Sequence, residues 1–392
     1  MQTTTSNVLE VARDEIATTR LVEEEIELGE GQVRLRVDRF AITANNITYA
    51  VFGDVLGYWD FFPVADGTDD GGEGTSGGDA TDDASHRFGR VPAMGWATVV
   101  ESRALNVSLG RRFYGWYPMA SDVVFTPVVT ADGFRDDGAH RSAHAPVYRS
   151  YVGTLTDPMY DAAPDGEDRH VLLRGLFLTG FLAEEFFADG GGSGESYFGA
   201  STVVVLSASS KTAIGFAQRA AQRDGLRVVG VTSPGNREFV ESLGFYDTVV
   251  AYDEIDGLDT EGGAVSIDMA GAADALRSVH EHWGDGLAYS MTVGRSHHDA
   301  PPADTSDMPG PAPELFFAPN EVGRRMEEWG REEYGARCAA ALDEFVEGSR
   351  SWLTVEHRIG AEAVEGAWAD VHAGDVAPSV GLVATFHEPD DR

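Results

Sequence analysis

The sequence predicts an α/β protein of two domains, a β-rich N-terminal part followed by a doubly wound parallel sheet. Three observations carry this. The chain has 392 residues, more than one domain's usual share. From Thr202 to Val293, apolar β-branched runs alternate with helical segments, as parallel strands and crossover helices do. Residues 8–155 instead read as mostly β.

In the first part, Gln32–Phe40 alternates apolar and polar residues like a half-buried strand, and shorter strands are expected at Ala97–Glu101, Arg112–Tyr117 and Ser121–Val129. Ala65–Ser85 is rich in Gly, Asp, Thr and Ser. It lacks the apolar surface to order itself and reads as a disordered insertion. Leu172–Asp189 has helical periodicity and ends in the glycine run 190–194. Then come strand Thr202–Leu206, helix Thr212–Arg223, strand Arg227–Val231, a helix near Asn236–Leu243 and strand Thr248–Ala251. Strand Ala264–Met269, helix Ala273–His282 and strand Leu287–Val293 complete the alternation. After a Pro-rich loop at Ala300–Pro313, Glu321–Glu347 reads as helix, and Trp352–Ile359 and Gly381–Phe386 as returning strands. The expected domains are 1–155, 156–345 and, rejoining the first, 346–392.

The net charge is −36, from 65 acidic side chains against 29 Lys and Arg, and the acids are scattered along the chain. Such a charge repels itself unless screened, so the chain reads as adapted to molar salt, a halophile's protein. No basic stripe exists to meet nucleic-acid phosphates. Cys338 is the sole cysteine, which excludes an intrachain disulfide and a cysteine-based zinc cluster. The polar N-terminus has no signal-like apolar core, and no run of about twenty apolar residues could span a bilayer. The expected protein is soluble and cytoplasmic.

Lys211 is the only lysine. It lies in Ser207-Ala-Ser-Ser-Lys-Thr-Ala213, between a buried-looking strand and a helix. Helix N-termini gather anions, and an ammonium there can complete a phosphate cradle. A dinucleotide turn normally reads G-x-G-x-x-G/A. Here small residues replace the glycines, with hydroxyls at Ser207, Ser209, Ser210 and Thr212 and an accepted Ala213. Ser210-Lys-Thr212 also resembles the end of a nucleotide-triphosphate loop, but that motif's first glycine would fall at Val205, inside the strand. The second strand ends in Thr232-Ser233 with Arg237 beyond, where an acid would bind the ribose of NAD. Hydroxyls plus arginine suit the 2′-phosphate of NADP.

Several segments resemble the medium-chain dehydrogenase/reductase superfamily, in its zinc-free branch of quinone and enone reductases. Asn45-Asn-Ile-Thr-Tyr49 with Gly53 is similar to the Asn…Tyr segment after the second strand of those enzymes. Arg90–Gly95 through Val99-Val-Glu101, Arg111-Arg-Phe-Tyr-Gly115, Asn236–Gly244 and Ser266–Gly271 resemble further motifs of the superfamily. The substituted turn resembles an uncharacterised branch known only as a domain of unknown function. The resemblance implies a GroES-like β-barrel closed by the last strands, plus a Rossmann doubly wound domain. It also implies a small-molecule substrate meeting the nicotinamide between the domains, and a homodimer. NADP(H) is the expected cofactor, with Gly271 and Val293 completing its binding set.

Metal chemistry is the remaining question. Eleven histidines are present, including His140/His144 and His297-His298, but no cysteine set or acid–histidine motif stands where this superfamily keeps its zinc. Zinc-free hydride transfer needs an oriented nicotinamide and a donor to the developing oxyanion. Tyr49 and Asn46 are the catalytic candidates, and the aromatic run Tyr58–Phe62 either walls the substrate or packs a core. The expected activity is NADPH-dependent reduction of an enone, quinone or carbonyl. The alternative is an NADP(H)-binding protein without turnover.

Overall fold

The computed structural model describes residues 3–64, 86–269, 271, 273–294 and 307–388. The expected insertion Ala65–Ser85, His297-His298 and positions 300–306 of the Pro-rich loop lie outside the described residues. Chain contacts define two units. One comprises Met1–Leu172, Val355–Val376 and Gly381–Arg392; the other comprises Leu173–Thr354 and Ala377–Val380. The first break falls beyond the expected 155 because the following residues still serve the first unit. The Trp96 indole donates to the Glu167 carbonyl at 3.1 Å, and Arg112 grips the Glu167 carboxylate with two 2.6 Å bonds.

Among the described residues, the first unit holds two antiparallel sheets. Thr4–Ala12 pairs with Thr19–Ile26 and Phe88–Gly89. The second, nine-stranded sheet is built on Val33–Ile42, which pairs with Pro92–Ser102, Asp122–Phe125 and the returning strand Val380–Thr385. The first six residues of Val33–Ile42 alternate buried and half-exposed, as the sequence pattern requires. The single strand expected at Ser121–Val129 is two, Asp122–Phe125 and Pro127–Val129. Thr354–Ile359 lies at the sheet edge beside Val380–Thr385. Between them the chain forms a helix, Ala361–Ala373, that the sequence reading lacked. It docks by Trp368, which is fully buried and donates from its indole to the Ile16 carbonyl at 2.8 Å.

The second unit is a parallel sheet whose strands we number in chain order: β1 (Thr202–Leu206), β2 (Arg227–Thr232), β3 (Thr248–Ala251), β4 (Ala264–Asp268), β5 (Leu287–Thr292) and β6 (Glu314–Leu315). Their order is β3-β2-β1-β4-β5-β6, the order of a doubly wound dinucleotide-binding sheet, whose ligand crevice lies outside the strand C-termini where the order reverses. β1 and β4 are buried at every residue, which explains the apolar run Val203–Leu206 of β1. The fold class is therefore the expected one.

Helix Lys211–Ala220 follows β1 and crosses helix Gly166–Ala188 closely. A Cβ on Gly180 would stand 2.6 Å from the Thr212 carbonyl oxygen and 2.9 Å from the Phe216 nitrogen, so only glycine fits there. The helix expected over Glu321–Glu347 is two, Ala318–Trp329 and Arg331–Ser349, split at Gly330, whose φ of 82° is left-handed.

Candidate functional site

The turn after β1 carries the first group of candidates. Ser207 has φ 56°, the left-handed conformation that a glycine usually supplies. Its hydroxyl lies 3.4 Å from the Tyr252 hydroxyl. Backbone bonds brace the turn: Ala208 N–H donates to Val231 O at 3.0 Å and Ser210 N–H to Ser207 O at 2.9 Å. The Tyr246 hydroxyl donates to Ala208 O at 2.9 Å, and its ring lies over Gly230, where any Cβ would come within 2.8 Å of it. Ser210 is the helix N-cap, and its hydroxyl accepts from Ala213 N–H at 3.2 Å. The Ser209 hydroxyl accepts from the Asn236 amide at 3.1 Å, tying the β1 turn to the β2 turn. Thr212 stands in the first turn of the ten-residue helix, whose leading N–H groups have no acceptor within the helix.

Lys211 is placed differently from the sequence expectation. Its ammonium donates to Val380 O at 2.8 Å and Pro378 O at 3.4 Å, clasping the segment that precedes the returning strand. Desolvation lowers its pKa to about 8. The lone lysine is here a backbone clasp, because the carbonyls of 378–380 come within reach of its long stem.

At the end of β2, Thr232 is buried and Ser233 leads into the turn Pro234–Asn236. Arg237 is not an unengaged phosphate ligand. Its guanidinium makes a two-pronged pair with Glu254 and also reaches Val249 O at 3.4 Å. The Glu254 carboxylate accepts from Ala251 N–H at 2.9 Å as well, and these two donors, the backbone one first, hold its pKa below the usual carboxylate value. Beyond β4, Gly271 has φ 76° and its N–H donates to the buried Asp268 carboxylate at 3.0 Å. Val293 N–H donates to Asp268 O at 2.8 Å. The structure thus brings Ser207, Ser209, Ser210, Thr212, Thr232 and Ser233 to the C-terminal ends of β1 and β2, with Gly271 and Val293 beyond β4 and β5.

The second group lies in the antiparallel unit. Helix Ala44–Val51 is capped by Thr43, and Asn46 closes a capping box. The Asn46 carbonyl accepts from Thr43 N–H at 2.7 Å, and its amide donates to Pro92 O at 2.9 Å. Asn46 is therefore buried, with its side chain engaged in the cap of this helix and on Pro92. Asn45 sits one turn before Tyr49 on the same helix face. Trp116 Nε1 donates to the Tyr49 oxygen at 3.3 Å. The Tyr49 ring lies 4.6 Å from that of Tyr58, whose hydroxyl is 3.2 Å from that of Tyr148. Desolvation dominates the Tyr49 hydroxyl and pushes its pKa well above the ordinary tyrosine value, so it remains protonated. The i,i+4 spacing of Asn45 and Tyr49 was legible in the sequence; the Trp116 and Tyr148 contacts had no local signal.

Tyr58, Trp59, Phe61 and Phe62 are all buried. Fully buried Arg141 lies over Phe61 and Phe62, at 4.4 and 5.0 Å, and donates to Phe61 O at 2.9 Å. His144 packs against Phe61 at 4.3 Å and bonds Gly57 O at 3.2 Å; desolvation, then the Arg141 charge, lowers its pKa. Among the described residues, no group of three or more His, Cys, Asp or Glu side chains is arranged to hold a metal ion. Likewise, no helix of the described residues is long and apolar enough to cross a membrane.

No curated protein sequence is significantly similar to the chain. Solved structures are similar over nearly its whole length. CurA from Vibrio vulnificus has a TM-score of 0.60 at 13% identity, covering 98% of this chain and 100% of its own, and is also known in complex with NADPH. A Mesorhizobium loti protein, provisionally named NADPH:quinone reductase, gives 0.59 at 14% identity, with 98% and 100% covered. The yhdH oxidoreductase of Salmonella enterica, solved in complex with NADP, gives 0.53 at 14% identity, with 97% and 100% covered. At these identities the likeness is one of fold. The family described as "protein of unknown function (DUF2855)" matches residues 40–377, most of the chain, and the chain belongs to that family.

Proposed function

We propose that the chain is an oxidoreductase that binds NADP(H) at the C-terminal ends of β1, β2 and β4. It exchanges hydride with a small carbonyl, enone or quinone without zinc. In this reading the parallel-sheet unit is the dinucleotide-binding domain, and the antiparallel unit with its returning strands is the catalytic domain. The observation that carries the reading is the turn at Ser207–Thr212. It stands at the switch point of the strand order, with Ser207 held left-handed at the mouth of a capped helix. That backbone fits a pyrophosphate although its glycines are gone, because the left-handed step and the first-turn N–H groups remain. NADPH- and NADP-bound relatives in fold support the same cofactor.

The nicotinamide, when bound, supplies or accepts the hydride. The chain's own residues hold the phosphates through the first-turn N–H groups and the hydroxyls of Ser209 and Thr212. Tyr49 is the proposed donor to the developing oxyanion. Trp116 occupies its oxygen as acceptor, leaving the phenolic proton to give away. Homodimeric assembly in the cytoplasm belongs to the same proposal.

A second reading, NADP(H) binding without turnover, draws on the burial of Tyr49, which is only 7% exposed. NADPH fluorescence in molar KCl tests binding, and NADPH loss with a panel of enones, quinones and aldehydes tests turnover. Binding without loss across the panel favours the second reading. No binding removes both.

A further inference from the structure

This inference rests on the NADP(H) reading and extends it to the choice between phosphorylated and unphosphorylated dinucleotide. In a doubly wound sheet, the side chains just past the second strand meet the adenosine ribose. The cation offered there is Arg237, the first residue of the helix Arg237–Ser242. In this structure it is already neutralised. Glu254, from the turn after β3, takes the guanidinium through both carboxylate oxygens. Glu241, one turn along the same helix, stands 3.9 Å from its Nε. The Val249 carbonyl accepts a further 3.4 Å contact. The Glu254 carboxylate is itself fixed by the Ala251 N–H at 2.9 Å, so it is a placed group rather than a passing surface partner. The other polar groups at this edge, Ser209, Asn236, Thr232 and Ser233, are uncharged, and they serve either dinucleotide.

We infer that Glu254 is a specificity-determining residue that competes with the cofactor's 2′-phosphate for Arg237, and so holds down the preference for NADP(H) over NAD(H). A 2′-phosphate needs the guanidinium fork that Glu254 occupies. NAD(H) lacks the phosphate and is indifferent to the pair.

The test is a double-mutant cycle on the full chain, with Kd for NADPH and NADH measured by fluorescence at one fixed KCl concentration. Glu254→Gln keeps an oxygen acceptor for the Ala251 N–H and removes the charge. It should tighten NADPH about tenfold and leave NADH unchanged, the size of one charge-assisted contact. Arg237→Gln should weaken NADPH by a similar factor. In the Arg237→Gln background, adding Glu254→Gln should have no further effect. A Glu254→Gln protein with an unchanged NADPH/NADH ratio overturns the inference while the cofactor reading stands. So does an equal gain in both backgrounds, which would reflect general repulsion and not release of the arginine. A wild-type chain that binds neither dinucleotide overturns the cofactor reading, and this inference with it. Melting curves of each variant confirm that the turn still folds.

Discussion

Replacing Lys211 by methionine tests the desolvation of its ammonium in the clasp on residues 378–380. The ammonium donates to Val380 O at 2.8 Å and Pro378 O at 3.4 Å, and desolvation lowers its pKa from 10.5 to about 8. Below about pH 8 it is charged in both folded and unfolded chains, and the desolvation cost is fully present. Between about 8 and 10.5 the unfolded chain still holds the proton that the folded chain has released. Wild-type stability therefore rises with pH through that window. The full shift corresponds to about 3 kcal/mol, and solvent reaching the partly exposed side chain reduces the observable share to about 1 kcal/mol. Lys211→Met keeps the stem and has nothing to titrate. Urea unfolding at fixed high KCl, followed by tryptophan fluorescence from neutral pH to pH 10.5, should show the wild type gaining on the variant only above about pH 8. Parallel profiles for the two proteins would refute the desolvation of the Lys211 ammonium.

Three further outcomes are expected. Tyr49→Phe keeps the packing against Tyr58 and removes the donor; kcat should fall by about 10²–10³ with NADPH affinity nearly unchanged, and a full-rate variant returns Tyr49 to packing. Ser207→Gly relieves a left-handed serine, worth about 1–2 kcal/mol, against a glycine entropy cost of about 0.5–1 kcal/mol. It should thus raise the melting temperature slightly and leave NADPH affinity nearly unchanged, because glycine keeps the left-handed step, and a lowered melting temperature contradicts the strain argument. With 65 acidic side chains against 29 basic ones, the melting temperature should climb from low to molar KCl as screening shortens from about 10 Å at 0.1 M to about 3 Å at 1 M; a flat profile removes the molar-salt reading.

The sequence by itself determined the sheet and its order of use. A strand such as β1 is apolar at nearly every position because both faces are covered, and that burial writes itself into consecutive residues. Ser210 read as a phosphate-facing hydroxyl, and the structure makes it the N-cap of the helix as well. What tertiary structure decided were the polar partnerships. Asn45 and Asn46 are neighbours in sequence, yet helix geometry sets one on the face of Tyr49 and sends the other to Thr43 and Pro92. Arg237 read as an open phosphate ligand until the turn after β3 delivered Glu254 to it. Lys211 read as a phosphate contact until the chain brought back Val380, 169 residues later. Helix Ala361–Ala373 is anchored by Val364, Ala367 and Trp368, all fully buried, and the indole of Trp368 answers to the carbonyl of Ile16, far away in the chain. Apolar burial leaves a period in the sequence because a whole face must be covered. A charged or amide side chain needs a single partner, which can come from anywhere the fold places one.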